Sequence, residues 1–86
     1  YIKLSLDKIN SIQRLADVIH ITYEDDVVVV EADGGKGDKV YKSLIDNFLN
    51  AQKLKTLPCI ISSDNSSFVK DIFAVSFDAL QIGGIP

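Results

Sequence analysis

The 86 residues carry nine lysines and arginines against twelve aspartates and glutamates, for a net charge of −3, with 47% hydrophobic and 24% charged residues. This length makes one small domain that buries roughly 60% of its unfolded surface, and the acidity excludes the basic patch or stripe of a nucleic-acid binder. A single cysteine excludes an internal disulfide, and no apolar run nears the ~18–20 residues of a membrane span or forms a signal peptide; the default reading is a cytoplasmic protein.

The chain opens with alternation. Ile2, Leu4 and Leu6 stand against Lys3 and Ser5, the period of a half-buried strand. Asp7 then suits a helix cap, and Asn10 or Ser11 serve equally well. Ile9, Ile12, Leu15, Ala16 and Ile19 follow at helical spacing, with Lys8, Asn10, Gln13, Arg14 and Asp17 on the wet side, so a helix is predicted over 8–18.

Residues 19–23 alternate again and are rich in β-formers. Glu24-Asp25-Asp26 makes a tight turn, since these residues are depleted from strands and short aspartates bond local backbone. Residues 27–32 return as the partner strand of a hairpin. Its four consecutive valines read either as a strand covered on both faces or as an inner strand with one partly wet face.

Asp33-Gly34-Gly35-Lys36-Gly37-Asp38 is a flexible loop, with Asp38 capping the next helix. Val40, Tyr41, Leu44, Ile45, Phe48 and Leu49 form a clean stripe, which predicts a helix over 39–53 that Leu57-Pro58 ends. Residues 59–62 read as a short buried strand. A loop at 64–67 leads to a third, broadly apolar helix over 67–80, and residues 83–86 form a stop and tail.

The predicted order is β-α-β-β-α-β-α: an α+β open-faced sandwich, a four-stranded antiparallel sheet with helices on one face. A ferredoxin-like split βαβ unit with one extra helix satisfies the same order. The chain starts without methionine, which fits a processed product, a chain trimmed from a tag or a piece cut from a longer protein.

Few residues gather into chemistry. Gly34, Gly35, Lys36 and Gly37 follow a strand and precede a helix, the context in which free N–H groups capture an anion. They match neither a P-loop nor a dinucleotide fingerprint, and Asp33 and Asp38 would repel a phosphate. The acidic turn lacks the spaced oxygens of an EF-hand, so no metal is implied. His20 alternates on its strand toward the less buried side, and Cys59 sits in an apolar run as a small core residue. The serines around the last helix are explained by capping. No cofactor and no enzyme activity follow from this set.

Lys42-Ser43-Leu44-Ile45, placed at a helix start after a two-strand hairpin, resembles the corresponding segment of the phosphocarrier protein HPr family, whose length and β-α-β-β-α-β-α order are also similar. Active members carry a phosphorylatable histidine in a Gly-Leu-His-Ala-Arg-Pro-Ala motif at the first helix start. Here that stretch is Ile9-Asn10-Ser11-Ile12-Gln13-Arg14-Leu15, without histidine. The resemblance implies an HPr-like protein-binding or regulatory module without phosphotransfer. Its contact surface would lie around Ser11, Arg14, Lys42 and Ser43, with Ser43 at the position where some members are phosphorylated. The alternative is a ferredoxin-like structural or oligomerisation domain of a longer protein, with an exposed sheet edge free to form a homodimer. The protein partner itself is not written in the sequence.

Overall fold

A run of valines is a poor edge, because its β-branched side chains pack best when neighbours lie on both sides. In the computed structural model, which describes residues 3–54, 59–62 and 67–79, that run is the inner part of strand β3 (Asp26–Ala32). It pairs with β2 (Val18–Tyr23) on one side and with β4 (Ile72–Ala79) on the other. Strand β1 (Ile9–Leu15) pairs with the far side of β2. The sheet is four-stranded and wholly antiparallel, with its strands in sequence order.

Among the described residues one α-helix, α1 (Gly37–Leu54), lies between β3 and β4 in the chain. Its Val40 and Leu44 share a single buried cluster with Ile19 and Ile21 of β2 and Val28 and Val30 of β3. Cross-strand register explains which residues these are: Ile19 lies opposite Val30, and Ile21 opposite Val28. On the other face Val27 and Val29 stay half-buried, so β3 is an inner strand with one partly wet face. The fold is α+β, with an open sheet. No helix among the described residues is long and apolar enough to cross a membrane.

Four predicted elements are corrected. Residues 9–15 form β1 rather than part of a helix over 8–18. The three-residue spacing of Ile9, Ile12 and Leu15 fits a helical face, but only Ile9 is buried and Leu15 is 75% exposed. In the strand, Ile12 and Arg14 lie opposite core residues Ile21 and Ile19, after a register shift between Ile9 and Ser11. The two-residue turn Ala16-Asp17 that folds β1 onto β2 carries no Asn-Gly or Asp-Gly signal, because Ala16 itself takes the left-handed conformation at φ 56°. Glu24 does the same, at φ 55°, in the second hairpin turn.

The third predicted helix, over 67–80, is a short 3-10 turn (Ser67–Asp71) followed by β4. Phe68, Val69 and Ile72 do share the core, as helical spacing required, but from the turn and the first strand residue. Beyond them Val75 and Phe77 fall opposite Val30 and Val28, which is strand alternation. The predicted strand at the chain start shrinks to one antiparallel bridge between Ser5 and Cys59, preceding a 3-10 turn at Leu6–Lys8. The predicted strand at 59–62 is the other half of that bridge. Leu4, Ile60 and Ile61 are nevertheless fully buried, and Ile60 N–H donates to Leu4 O at 2.8 Å. The sheet therefore has four strands as expected, but two of them come from segments assigned to helices. Its sequential order is a meander with one helical excursion, not a split βαβ unit. Residues 1–2, the helix stop at Leu57-Pro58, the loop at 64–66 and the tail at 83–86 lie outside the described residues.

The α1 helix is where sequence and structure agree best. It begins two residues before the predicted 39–53, and Lys36, not Asp38, contributes the first helical acceptor, to Val40 N–H at 3.0 Å. Its buried positions Gly37, Val40, Leu44 and Ala51 follow helical periodicity.

The left-handed turn gives a test. A non-glycine residue there loses roughly 1–2 kcal/mol, and glycine returns part of the gain as chain entropy. Ala16→Gly is expected to stabilise the fold by about 0.5–1 kcal/mol in urea unfolding. Loss of stability would mean that the turn is not left-handed.

Candidate functional site

Two features stand out once the sheet is assembled: a polar corner where the glycine loop meets the β1–β2 turn, and the free edge of β4.

The corner is built around two carboxylates. Asp17 accepts hydrogen bonds from Gly35 N–H (Oδ2, 3.0 Å) and from Gly37 N–H (Oδ1, 2.9 Å). These bonds, Gly35 first, hold its carboxyl below the ordinary 3.8. The anion captured by the glycine loop is therefore the chain's own. Asp17 does for α1, from another turn, what a cap does from the preceding residue: it accepts an N–H that the first helical turn leaves without a partner. Its backbone O also accepts from Ala32 N–H at 2.9 Å. A Cβ on Gly37 would press on Ala16 O and lie 2.5 Å from Asp17 Cα, so only glycine lets the helix start approach the turn this closely. Gly35 turns the loop with φ 79°, and Gly34 is in open space.

Asp71, whose side chain is only 5% exposed, anchors the other side of the corner. Lys36 Nζ lies 3.3 Å from its Oδ1 and Lys39 Nζ 3.2 Å from its Oδ2, the latter an ion pair without a well-aligned hydrogen bond. Burial pushes the Asp71 carboxyl up; the close ammonium groups of Lys39 and Lys36 outweigh it and leave the group below its ordinary value. Asp71 O further accepts Asp33 N–H at 3.0 Å, so one residue holds both ends of the loop after β3.

The predicted contact residues divide between this corner and elsewhere. Arg14 and Lys42 do come together, both on Asp38: Arg14 Nη2 at 3.8 Å from Oδ1, Lys42 Nζ at 3.1 Å from Oδ2. Arg14 also donates to Ala16 O at 2.9 Å. Ser11 lies apart, donating to Thr22 Oγ1 at 3.0 Å across the β1–β2 pair. Ser43 is half-buried in the second turn of α1, not at its start, and its backbone O accepts from Asn47 Nδ2 at 2.7 Å. A phosphate on Ser43 would thus miss the orphan N–H groups of the helix start. The stretch that aligns with the HPr histidine motif is β1, and Lys42-Ser43-Leu44-Ile45 lies inside α1.

His20 is exposed on the uncovered sheet face, flanked by Gln13 and Val29. Cys59 is half-buried at the bridge to Ser5. Among the described residues no group of His, Cys, Asp and Glu side chains could hold a metal ion.

An exposed sheet edge was among the expectations, but that it is β4, in the segment predicted as a helix, was not. Phe73 is 74% and Phe77 48% exposed on one strand whose outer side has no partner among the described residues. A bulge accounts for Phe73: Ile72 pairs with Ala32 and Ala74 with Glu31, leaving Phe73 unpaired between them. Phe77 touches Tyr23 with ring centroids 6.1 Å apart, yet keeps half its surface open. The available signal was the alternation of 73–77, which the helical spacing of 68–72 masked. Asp17 and Asp71 had no comparable signal, because their partners lie 18 or more residues away.

Comparison with family models, curated proteins and solved structures finds no match to this chain.

Two measurements probe the corner. Gly37→Ala forces helix and turn apart and is expected to cost about 1–3 kcal/mol; a neutral result in urea unfolding would show that the contact is not close. Asp17 and Asp71 have folded pKa values below their unfolded ones, near 3.8. The unfolded chain therefore binds more protons in this range, and the stabilisation, complete above the unfolded value, is lost as pH falls through the lowered folded values. Unfolding measured from pH 7 to pH 2 should show stability falling from about pH 4–5 downward. Asp17→Asn should flatten that slope and lower the stability at pH 7.

Proposed function

We propose that the chain is a non-catalytic protein-binding module that takes up an extended segment of its partner as a fifth strand along β4. One observation carries this: an eight-residue strand at the end of the sheet, without a charged residue from Ile72 to Phe77, exposes two phenylalanines. Unpaired backbone groups on an edge strand are a template for another strand, and proteins that avoid such pairing place charges or proline there. Alternate residues of β4 direct N–H and C=O groups away from β3, which supplies main-chain hydrogen bonds, while the exposed rings supply apolar contact. The opposite edge, β1, offers Asn10, Gln13 and Arg14 instead, and Arg14 is engaged with Ala16 and Asp38.

The corner supports the same division. Its charges are matched within the chain, so it reads as a clamp on the loop and helix start. An HPr-like regulatory role agrees with this proposal in being non-catalytic and exerted through contact with another protein. In the present reading that contact lies on β4 and not around Ser11, Arg14, Lys42 and Ser43.

Panning a displayed random-peptide library against the intact chain tests it. Selected peptides are expected to alternate apolar and polar residues, to perturb β4 amide resonances, and to lose at least tenfold in affinity against Phe73→Lys. Peptides that settle on the helix or on the corner, or a library that yields no binder, would reject strand addition at this edge.

A further inference from the structure

We infer that the segment recognised by β4 is β4 of a second copy, joined antiparallel about a two-fold axis at Val75 to make a continuous eight-stranded sheet. This rests on the proposed use of the β4 edge and names its occupant.

Charge pattern is the first argument. The chain carries −3 overall, so most surfaces on two copies repel or are neutral toward each other. The stretch from Ile72 to Phe77 carries no charge. Asp71, directly before it, is buried and matched by Lys36 and Lys39, which leaves the exposed Lys70 as the free charge at that end and Asp78 in the sequence at the other. Antiparallel pairing of this stretch with itself brings the basic end of each copy toward the acidic end of the other. A strand with one sign at both ends could not do this.

Register is the second. With Val75 facing itself, Phe73 of one copy falls opposite Phe77 of the other, twice over. Aromatic pairs across antiparallel strands add to stability beyond the ladder itself. The bulge that leaves Phe73 without a partner on β3 is what makes it available for this pairing.

Area sets the strength. A phenylalanine ring buries about 150–250 Å²; at 74% and 48% exposure, the two rings leave roughly 250 Å² per copy to cover. Two copies together reach about 500 Å² from rings, against the ~1,200–2,000 Å² of a stable specific interface. Paired backbone and the neighbouring Val75 and Ser76 add to this without reaching the size of an obligate dimer. The association is therefore weak and concentration-dependent, in the range of tens of micromolar to about a millimolar.

Sedimentation of the 86-residue chain from 10 µM to 2 mM tests this. The average mass is expected to rise from 9.4 kDa toward twice that value. Phe73→Lys, an exposed site whose substitution leaves the melting temperature near that of the parent, should weaken self-association at least tenfold. Lys70→Glu should weaken it as well, and mixing that variant with Asp78→Lys should restore a mixed dimer. A chain that stays monomeric at 2 mM, or a dimer indifferent to Phe73→Lys and to both charge changes, would overturn the inference. Should the monomeric chain still bind selected peptides along β4, strand addition stands and only the second copy falls.

Discussion

Four valines in a row admit few arrangements. Two of them have to enter a core, and the strand they form needs a neighbour on each side. In this chain both demands are met by pairing with β2 and β4 and by laying Val40 and Leu44 of α1 over Val28 and Val30. Everything else is a consequence of how the chain gets from one side of β3 to the other. It leaves β3 at Ala32, must cross the covered face as a helix, and must re-enter beside β3 at Ile72. Both of these residues are buried, and they pair with each other.

The polar corner makes that crossing determinate. An 18-residue helix starting from a glycine-rich loop could enter at many angles. Three contacts remove the freedom: the Asp17 carboxylate on Gly35 and Gly37, the absence of any room for a side chain on Gly37, and Asp71 holding Lys36, Lys39 and the Asp33 amide. Ion pairs of exposed lysines contribute little by themselves. Their weight here comes from Asp71 being buried: a carboxylate out of water without its cations is far more costly than the pairs are favourable.

The hairpin at 19–32 and the helix near 39–53 were legible because each shows one clean period, 2 or 3.6, over enough residues to exclude the other. Residues 9–15 and 67–79 were misread for a common reason. In each, an irregular ladder breaks strict alternation: a register shift at Ile9/Ser11, and a bulge at Phe73. One extra residue in a strand turns an apolar spacing of two into three, which is a helical spacing. The turn between β1 and β2 hid its nature too, since Ala16 occupies a conformation for which glycine or asparagine is the usual mark. Of the candidate site, the anion-capturing geometry of Gly35 and Gly37 was readable from the strand–glycine–helix context. That its anion is the side chain of Asp17 was not, because the β1–β2 hairpin that delivers Asp17 had been read as a helix.

The same irregularity that hid β4 from sequence reading bears on the use proposed for it. A bulge in an inner strand would open a hole in the ladder; in an edge strand it only re-aims a side chain. The other exposed large apolar residues among those described, Leu15 and Leu49, lie on different elements, and isolated apolar groups of that kind are ordinary on a surface. Phe73 and Phe77 share one strand, about 13 Å apart along it, beside backbone groups that the sheet leaves unpaired. At the corner the cations and N–H groups have already found internal partners: Lys36 and Lys39 on Asp71, Arg14 and Lys42 on Asp38, Gly35 and Gly37 on Asp17. Binding there would have to break existing contacts before making new ones. At β4 no contact among the described residues needs to be broken, since apolar area leaves water and edge hydrogen bonds exchange water for another chain. That difference, not the number of polar residues, is what favours β4 over the corner in the proposed reading.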